Sequence, residues 1–335
     1  MTGTGAASPV AQADALRSAA SLVIFETDGE RADDEPLTAA AAARFLGVAE
    51  AAVSALLASG TVPVTATQHG PALAYHDVAA LGLHCGLGTS IPELGLSMMM
   101  RFARQPEEAL LAPLQWSFTV RCRALPEAGA RLRAPGPGAI IIPEAFPEGG
   151  PAVGWPLPGC AGEPASLGGT IRTRGSRLRI LHKDANALYD QLLADIAGYR
   201  VRFQWVSERG RSDPEARLRE GRADCVCLAA VVAAELRRLG LPSRIESGRI
   251  LGVLDAQHAW VGVRDEDGLW KRFDPLLQAH CRRLWGPGRP YGELFRGAVT
   301  NALVGWPDEA SAVVTGEDDS TQSVNHEFLA WRMTK

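Results

Sequence analysis

Between Asp224 and Pro275 the apolar pattern changes its period once, and that change dictates what this stretch can fold into. Leu228, Val231, Val232, Leu236 and Leu239 recur at the i, i+3, i+4 spacing of a helix about four turns long that buries one face. Gly240 suits the left-handed residue that ends such a helix, and Pro242 forbids its continuation. Beyond Pro242 the composition is that of strands: Ser243 to Leu254, a loop at Asp255-Ala256-Gln257, then His258 to Arg264. Asp265-Glu266-Asp267-Gly268 reads as a turn, with Leu269 to Asp274 as the return strand. A helix running straight into an antiparallel ribbon makes an α+β unit, the helix packed on the sheet.

Three residues of this unit suit thiol chemistry. Cys225 falls at the helix N-terminus, where unpaired N–H groups and the positive end of the dipole favour a thiolate and can hold a developing oxyanion. Cys227, two residues deeper and flanked by Leu228 and Val231, suits a buried inert thiol instead. Folding the chain about the middle of the turn sets His258 opposite or diagonal to Asp274, with Cβ atoms about 5–7 Å apart. A carboxylate there can orient the imidazole and fix its tautomer, leaving the other ring nitrogen to face a cysteine. Alone, a histidine at a strand start is commonly structural, and an aspartate before proline is commonly a turn residue. Their joint occurrence with a helix-opening cysteine, in this order, points to a thiol enzyme.

The residues that carry a family resemblance are Gly221-Arg222-Ala223-Asp224-Cys225, Leu228-Ala229, Leu239-Gly240-Leu241-Pro242-Ser243-Arg244, Gly248, His258-Ala259-Trp260-Val261-Gly262-Val263, Gly268-Leu269-Trp270 and Phe273-Asp274-Pro275. Together, over roughly residues 185–277, they resemble the transglutaminase-like thiol superfamily. The resemblance implies a papain-like α+β core and a Cys-His-Asp triad on Cys225, His258 and Asp274. It also implies an upstream helix ending near Trp205 and Glu208, with Trp260 and Trp205 beside the substrate; a packing role for Trp260 fits equally well. The implied reaction is acyl transfer at an amide, ester or thioester carbonyl of a peptide or acyl-amide, through a thioester intermediate and without a cofactor. Water as acceptor gives a peptidase or amidase, the favoured direction because hydrolysis needs only an open site. An amine as acceptor gives a biosynthetic amide-forming acyltransferase.

The rest of the 335-residue chain bounds this reading. A net charge of −4 excludes a protein whose main task is neutralising phosphates. The six cysteines, Cys85, Cys122, Cys160, Cys225, Cys227 and Cys281, are too scattered for a disulfide framework. Cys225-Val226-Cys227 lacks the two-residue spacer of a zinc knuckle, so no metal site is expected, and no dense Asp/Asn loop suggests calcium. No run of 18 apolar residues and no secretion signal are apparent, so a cytoplasmic location away from membranes is expected.

Five regions follow from composition. Residues 1–35 read as a flexible tail in which Leu22-Val23-Ile24-Phe25 docks on the body. Residues 36–90 form a helical module, 91–183 a helix (Leu94 to Leu111) and a β-rich region, 184–306 the catalytic domain, and 307–335 an acidic tail. Within the β-rich region, Thr170 to Arg174 and Arg177 to Ile180 flank Gly175-Ser176 as a hairpin would. In the module, Leu37-Thr38, Ala42-Ala43, Leu46-Gly47-Val48, Val53, Leu56-Leu57, Gly60, Val62-Pro63 and Asp77-Val78 resemble the winged helix-turn-helix of excisionases and mercury-resistance-type regulators. The second helix of that motif reads DNA through cations, yet Glu50 to Ala58 carries none, and Arg44, Glu50 and Asp77 are the only Asp, Glu, Lys or Arg between Leu37 and Leu83. The module therefore reads as a scaffold, or a dock for a protein or carrier partner, and not as a DNA reader. A regulator that binds DNA or a partner and keeps the triad as a relic is the alternative from another class.

Overall fold

The computed structural model describes residues 7–68, 70–123, 131–132, 139–143, 155–156, 162–253, 256–286, 292–306, 314–315 and 326–332. Much of the Pro/Gly-rich stretch between Gly136 and Gly169, and most of the acidic stretch after Pro307, lie outside the described residues. Two compact units divide the chain, residues 1–98 with 194–231 and residues 99–193 with 232–335. No single helix among the described residues is long and apolar enough to cross a membrane.

In the first unit a helix, Pro9–Ala20, starts where a loose tail was expected. Ser8 caps it through the N–H of Ala11, and Ala13, Leu16, Ala19 and Ala20 are buried in a core shared with Leu46, Val53, Leu56, Val78 and Leu81. Those partners come from the helices Ala39–Leu46, Glu50–Ala58 and Tyr75–His84. Between the last two lies a three-stranded sheet edge, Thr65–Thr67 and Gly70–Ala74, the latter also pairing with Pro36–Thr38. Gly47, at φ 65°, turns the first of these helices into the second, and a Cβ there would lie 2.4 Å from the Thr89 carbonyl oxygen. The run expected to dock does so. Gln204 receives the Ile24 N–H at 3.2 Å and donates to the Ile24 carbonyl at 2.7 Å, completing with a side chain what a strand partner would supply. Buried Arg222 then grips Glu30 through Nη2, at 3.2 and 3.1 Å to its two carboxylate oxygens, and Glu220 through Nε at 3.0 Å.

Among the described residues, the second unit holds two antiparallel sheets of more than three strands. One has five strands in the order Arg296–Gly297, Trp270–Phe273, Gln257–Arg264, Ser243–Ile250, Leu303–Trp306. The other orders His326–Arg332, Leu114–Cys122, Ala165–Thr173 and Ala139–Pro143, with Trp116, Phe118 and Val120 alternating inward along its second strand. The expected hairpin about Gly175-Ser176 does not form. Ala165–Thr173 pairs instead with Leu114–Cys122 and Ala139–Pro143, while Ser176 bridges to Val299. Gly175 is required for close approach and not for a turn: a Cβ there would meet the Leu110 carbonyl oxygen, the Leu111 Cα and the Val299 carbonyl oxygen, each at 2.7 Å. The helix expected from Leu94 to Leu111 is broken into Ile91–Met99, a 3-10 turn Met100–Arg104 and Glu107–Leu111, with Pro106 opening the last piece.

Gly248 is the glycine of the five-stranded sheet with the least room for a side chain. It faces His258 on one side and Gly305 on the other. A Cβ would sit 2.0 Å from the Val304 carbonyl oxygen and 2.7 Å from Cη2 of Trp260. Gly248→Ala is therefore expected to lower unfolding free energy by about 3 kcal/mol, because the clash is with backbone and a buried ring. Chemical denaturation checks this; an unchanged midpoint contradicts it.

Candidate active site

The cysteine helix is Cys225–Arg238, ending through backbone bonds from Gly240 and Leu241 at a left-handed Gly240 (φ 81°). Cys227, Leu228, Val231, Val232 and Leu236 are buried, whereas Leu239, expected on the same face, is 38% exposed. Asp224 caps the helix: its Oδ1 accepts the Cys227 N–H at 2.8 Å and its carbonyl accepts the Leu228 N–H at 3.0 Å. Its other carboxylate oxygen receives Arg211 Nε at 2.6 Å, so the negative charge placed at the helix start is offset. Cys225 is thus the first helical residue, half-buried, and Cys227 is fully buried. Burial foremost, then the charge of Asp224, pushes the Cys227 thiol up to about 12, which keeps it protonated.

His258 and Asp274 are brought together by the sheet. Val261 faces Phe273 and Gly262 faces Arg272, and continuing that register sets Asp274 opposite Trp260 and diagonal to His258 on one face. Nε2 of His258 shares a hydrogen with Asp274 Oδ2 at 2.8 Å, and both side chains are buried. Asp274 also opens the helix Pro275–Trp285, its Oδ1 accepting the Leu277 N–H at 3.1 Å. Asp274 thus bonds the imidazole through one oxygen and caps a helix through the other.

Around the pair the packing is aromatic and ionic. Trp260 stacks on His258 with ring centroids 5.9 Å apart and planes 26° apart, and its indole N–H donates to Glu246 at 2.7 Å. The guanidinium of Arg272 lies 4.7 Å over the Trp260 ring, while its Nε and Nη1 have no hydrogen-bond partner. Burial lowers its pKa against the opposing pull of Asp274 and Glu246. Trp260 is buried beside the imidazole, and Trp205 is half-buried and packs edge-on against Phe203 at 5.9 Å.

Tyr189 is a residue that sequence reasoning missed. It lies on the helix Lys183–Ala197, where Leu188, Leu192, Leu193 and Ile196 recur at helical spacing in the sequence. The buried residues are Ala185, Tyr189, Leu192 and Leu193, a face turned by one residue. The Tyr189 hydroxyl donates to the Asp274 carbonyl at 3.1 Å and its ring packs on Phe273 at 4.9 Å, so it anchors the backbone from which Asp274 projects. Tyr189→Phe is expected to cost about 1–2 kcal/mol, since a buried carbonyl loses its donor. Thermal unfolding measures this, and an unshifted midpoint contradicts it.

The structure thus joins His258 to Asp274 and sets Cys225 at a capped helix start, with Cys225 in the first compact unit and the other two in the second. Residues 177–275 match the transglutaminase-like superfamily, an interval that includes Cys225, His258 and Asp274. No curated protein matches the chain. Among solved structures, a candidate cysteine protease of Cytophaga hutchinsonii is similar at 11% sequence identity and a TM-score of 0.33, over 67% of this chain and 92% of that one.

Proposed function

Residues 177–275 are a transglutaminase-like domain, and from that premise we propose that the protein is a cysteine enzyme that transfers acyl groups through a thioester on Cys225. The observation that carries the proposal is the buried bond between His258 Nε2 and Asp274 Oδ2 at 2.8 Å. A histidine held this way presents Nδ1 for proton transfer, in the tautomer and orientation that the carboxylate selects. In the proposed reaction Nδ1 takes the Cys225 thiol proton and the sulfur attacks the acyl carbonyl. The C–N or C–O bond to the leaving group breaks as the imidazolium returns that proton to it. The thioester is then opened by water or an amine, whose proton passes to His258 and on to the regenerated thiol. Asp224 takes the Cys227 N–H, which leaves the N–H groups of Cys225 and Val226 at the helix start for the developing oxyanion.

Trp260 supports His258 by stacking, and we assign Trp205 to the substrate side, with a peptide or acyl-amide as substrate. Hydrolysis is the favoured outcome, giving a peptidase or amidase. Residues 36–90 are proposed as a scaffold or a dock for a protein or carrier partner. The helix Glu50–Ala58 carries no cation, which weighs against a DNA-reading role.

An activated acyl ester tests the chemistry without knowledge of the substrate. Incubation with p-nitrophenyl acetate is expected to place one acetyl group on Cys225, seen by intact mass and released by hydroxylamine. Asp274→Asn should slow that acylation by about 10²–10⁴-fold, since the carboxylate selects the tautomer. Acetyl spread over several cysteines, or an unaffected Asp274→Asn rate, would remove the basis of the assignment. Adding methylamine separates the two acceptors: a hydrolase keeps releasing acetate, and an amide-forming enzyme yields N-methylacetamide.

A further inference from the structure

In the first compact unit, and using none of the residues assigned to catalysis, we infer a binding site for one divalent cation of the zinc class, held by Glu26, Asp34 and His76. One carboxylate oxygen from each acid and one imidazole nitrogen all lie within 4.8 Å of one another. The three residues come from different stretches. Glu26 follows the docked run at Leu22 to Phe25, Asp34 ends the 3-10 turn Glu30–Asp33, and His76 opens the helix Tyr75–His84. Separations of 8 and 42 residues hide such a set from any reading of ligand spacing.

Glu26 is the decisive member. It is 2% exposed, and its Oε1 accepts the Ser207 N–H at 2.7 Å. Its Oε2 is buried with no hydrogen-bond partner. A buried carboxylate oxygen with no donor among the surrounding protein groups is costly, and a cation is the partner that satisfies it most fully. The neighbourhood compounds the need. Asp77 is 2% exposed and its Oδ1 receives the Glu26 N–H at 3.3 Å, and the Asp34 side chain is 6% exposed. Three carboxyl groups thus share one enclosure. Against them stands Arg31, whose Nη1 reaches Asp77 at 3.5 Å while its Nη2 is drawn to exposed Asp28 at 2.8 Å. His76 Nδ1 already bonds Asp34 Oδ1, and the His76 N–H donates to Asp34 Oδ2 at 3.0 Å, so ring and carboxylate are held on the same spot.

The donor set selects the ion class. An imidazole with two carboxylates suits zinc, cobalt or manganese better than magnesium or calcium, which prefer all-oxygen shells. Three protein ligands leave a fourth position for water. A bound ion would also tie residues 26–34 to the helix Tyr75–His84, so its role here is at least to order this unit.

The test uses full-length protein freed of metal by a chelator and titrated with Co²⁺. One equivalent should bind, with visible d–d bands of nitrogen–oxygen ligation and without a thiolate-to-cobalt charge-transfer band. Glu26→Gln and His76→Ala should each weaken binding by more than about 100-fold, the upper range for loss of a mere outer-shell partner. X-ray absorption on the zinc-loaded wild type decides the matter even if a variant fails to fold: one imidazole with oxygen scatterers is expected. Sulfur scatterers, no binding by the wild type, or binding that survives both substitutions would overturn the site.

Discussion

One cysteine in this protein should alkylate rapidly at mildly acidic pH, and it should be Cys225. Iodoacetamide followed by intact-mass measurement is expected to show a single fast adduct, lost in Cys225→Ala and retained in Cys227→Ala. The contrast between the two thiols follows from their places on one helix. Cys227 is 0% exposed and its thiol is pushed up to about 12. At pH 7 such a thiol is ionised roughly 10³-fold less than an ordinary cysteine, before steric exclusion is counted. Cys85, pushed to about 11, and Cys281, raised further by burial and the charge of Asp274, are disfavoured on the same ground. Cys225 is half-buried at the helix start, so a reagent can reach it where Cys227 is enclosed. Equal slow labelling of several cysteines would contradict the assignment.

Lys271→Met should destabilise the second unit by about 3–5 kcal/mol, the cost of leaving a buried partner charge uncompensated. The Lys271 side chain is 1% exposed, and its Nζ donates to the Arg179 carbonyl at 2.6 Å and to Asp265 at 2.8 Å. Asp265 in turn accepts the N–H groups of Leu181, His182 and Glu266, at 2.5, 3.1 and 2.9 Å. This is how the segment 177–182, of which Arg177 to Ile180 were expected as a hairpin strand, is held without a ladder. Burial alone would raise the Asp265 pKa, but the Lys271 ammonium and those N–H donors overrule it and leave it lowered. Burial likewise works to lower the Lys271 pKa, and the two aspartates Asp265 and Asp267 leave it raised.

The directions set the pH windows. The depressed Asp265 contributes stability above the unfolded carboxylate value near ~3.9, lost as pH falls through its native value. The raised Lys271 contributes fully below its unfolded value near ~10.4, and that share is lost as pH rises through its native value. Urea midpoints across pH should therefore show a plateau with an acid and an alkaline edge in the wild type. Both edges should shrink in Lys271→Met. A Lys271→Met midpoint equal to the wild type at neutral pH would contradict the account of this pair.

The parts legible in the sequence were those with a strong period. The cysteine helix announced itself through branched and long apolar residues at helical spacing, and the ribbon through strand composition on both sides of an Asp/Gly turn. That is why His258 and Asp274 were placed as neighbours, and the register made them diagonal. The helix Pro9–Ala20 was missed because three of its four buried residues are alanines, which give little contrast with a polar tail. Gly175-Ser176 looked like a turn because glycine serves turns and close approaches alike, and only the neighbours at 2.7 Å distinguish them. Tyr189, Lys271 and Arg222 act through contacts 85, 92 and 192 residues away in the chain, and no local pattern encodes those.

The pH dependence of Cys225 alkylation, compared between the wild type and His258→Ala, tests the central claim most directly. If His258 takes the proton from this sulfur, His258→Ala should slow the alkylation of Cys225 by about 10²-fold at mildly acidic pH. Superimposable profiles would show that this imidazole does not act on this thiol, and the proposed acyl-transfer chemistry would fall with it.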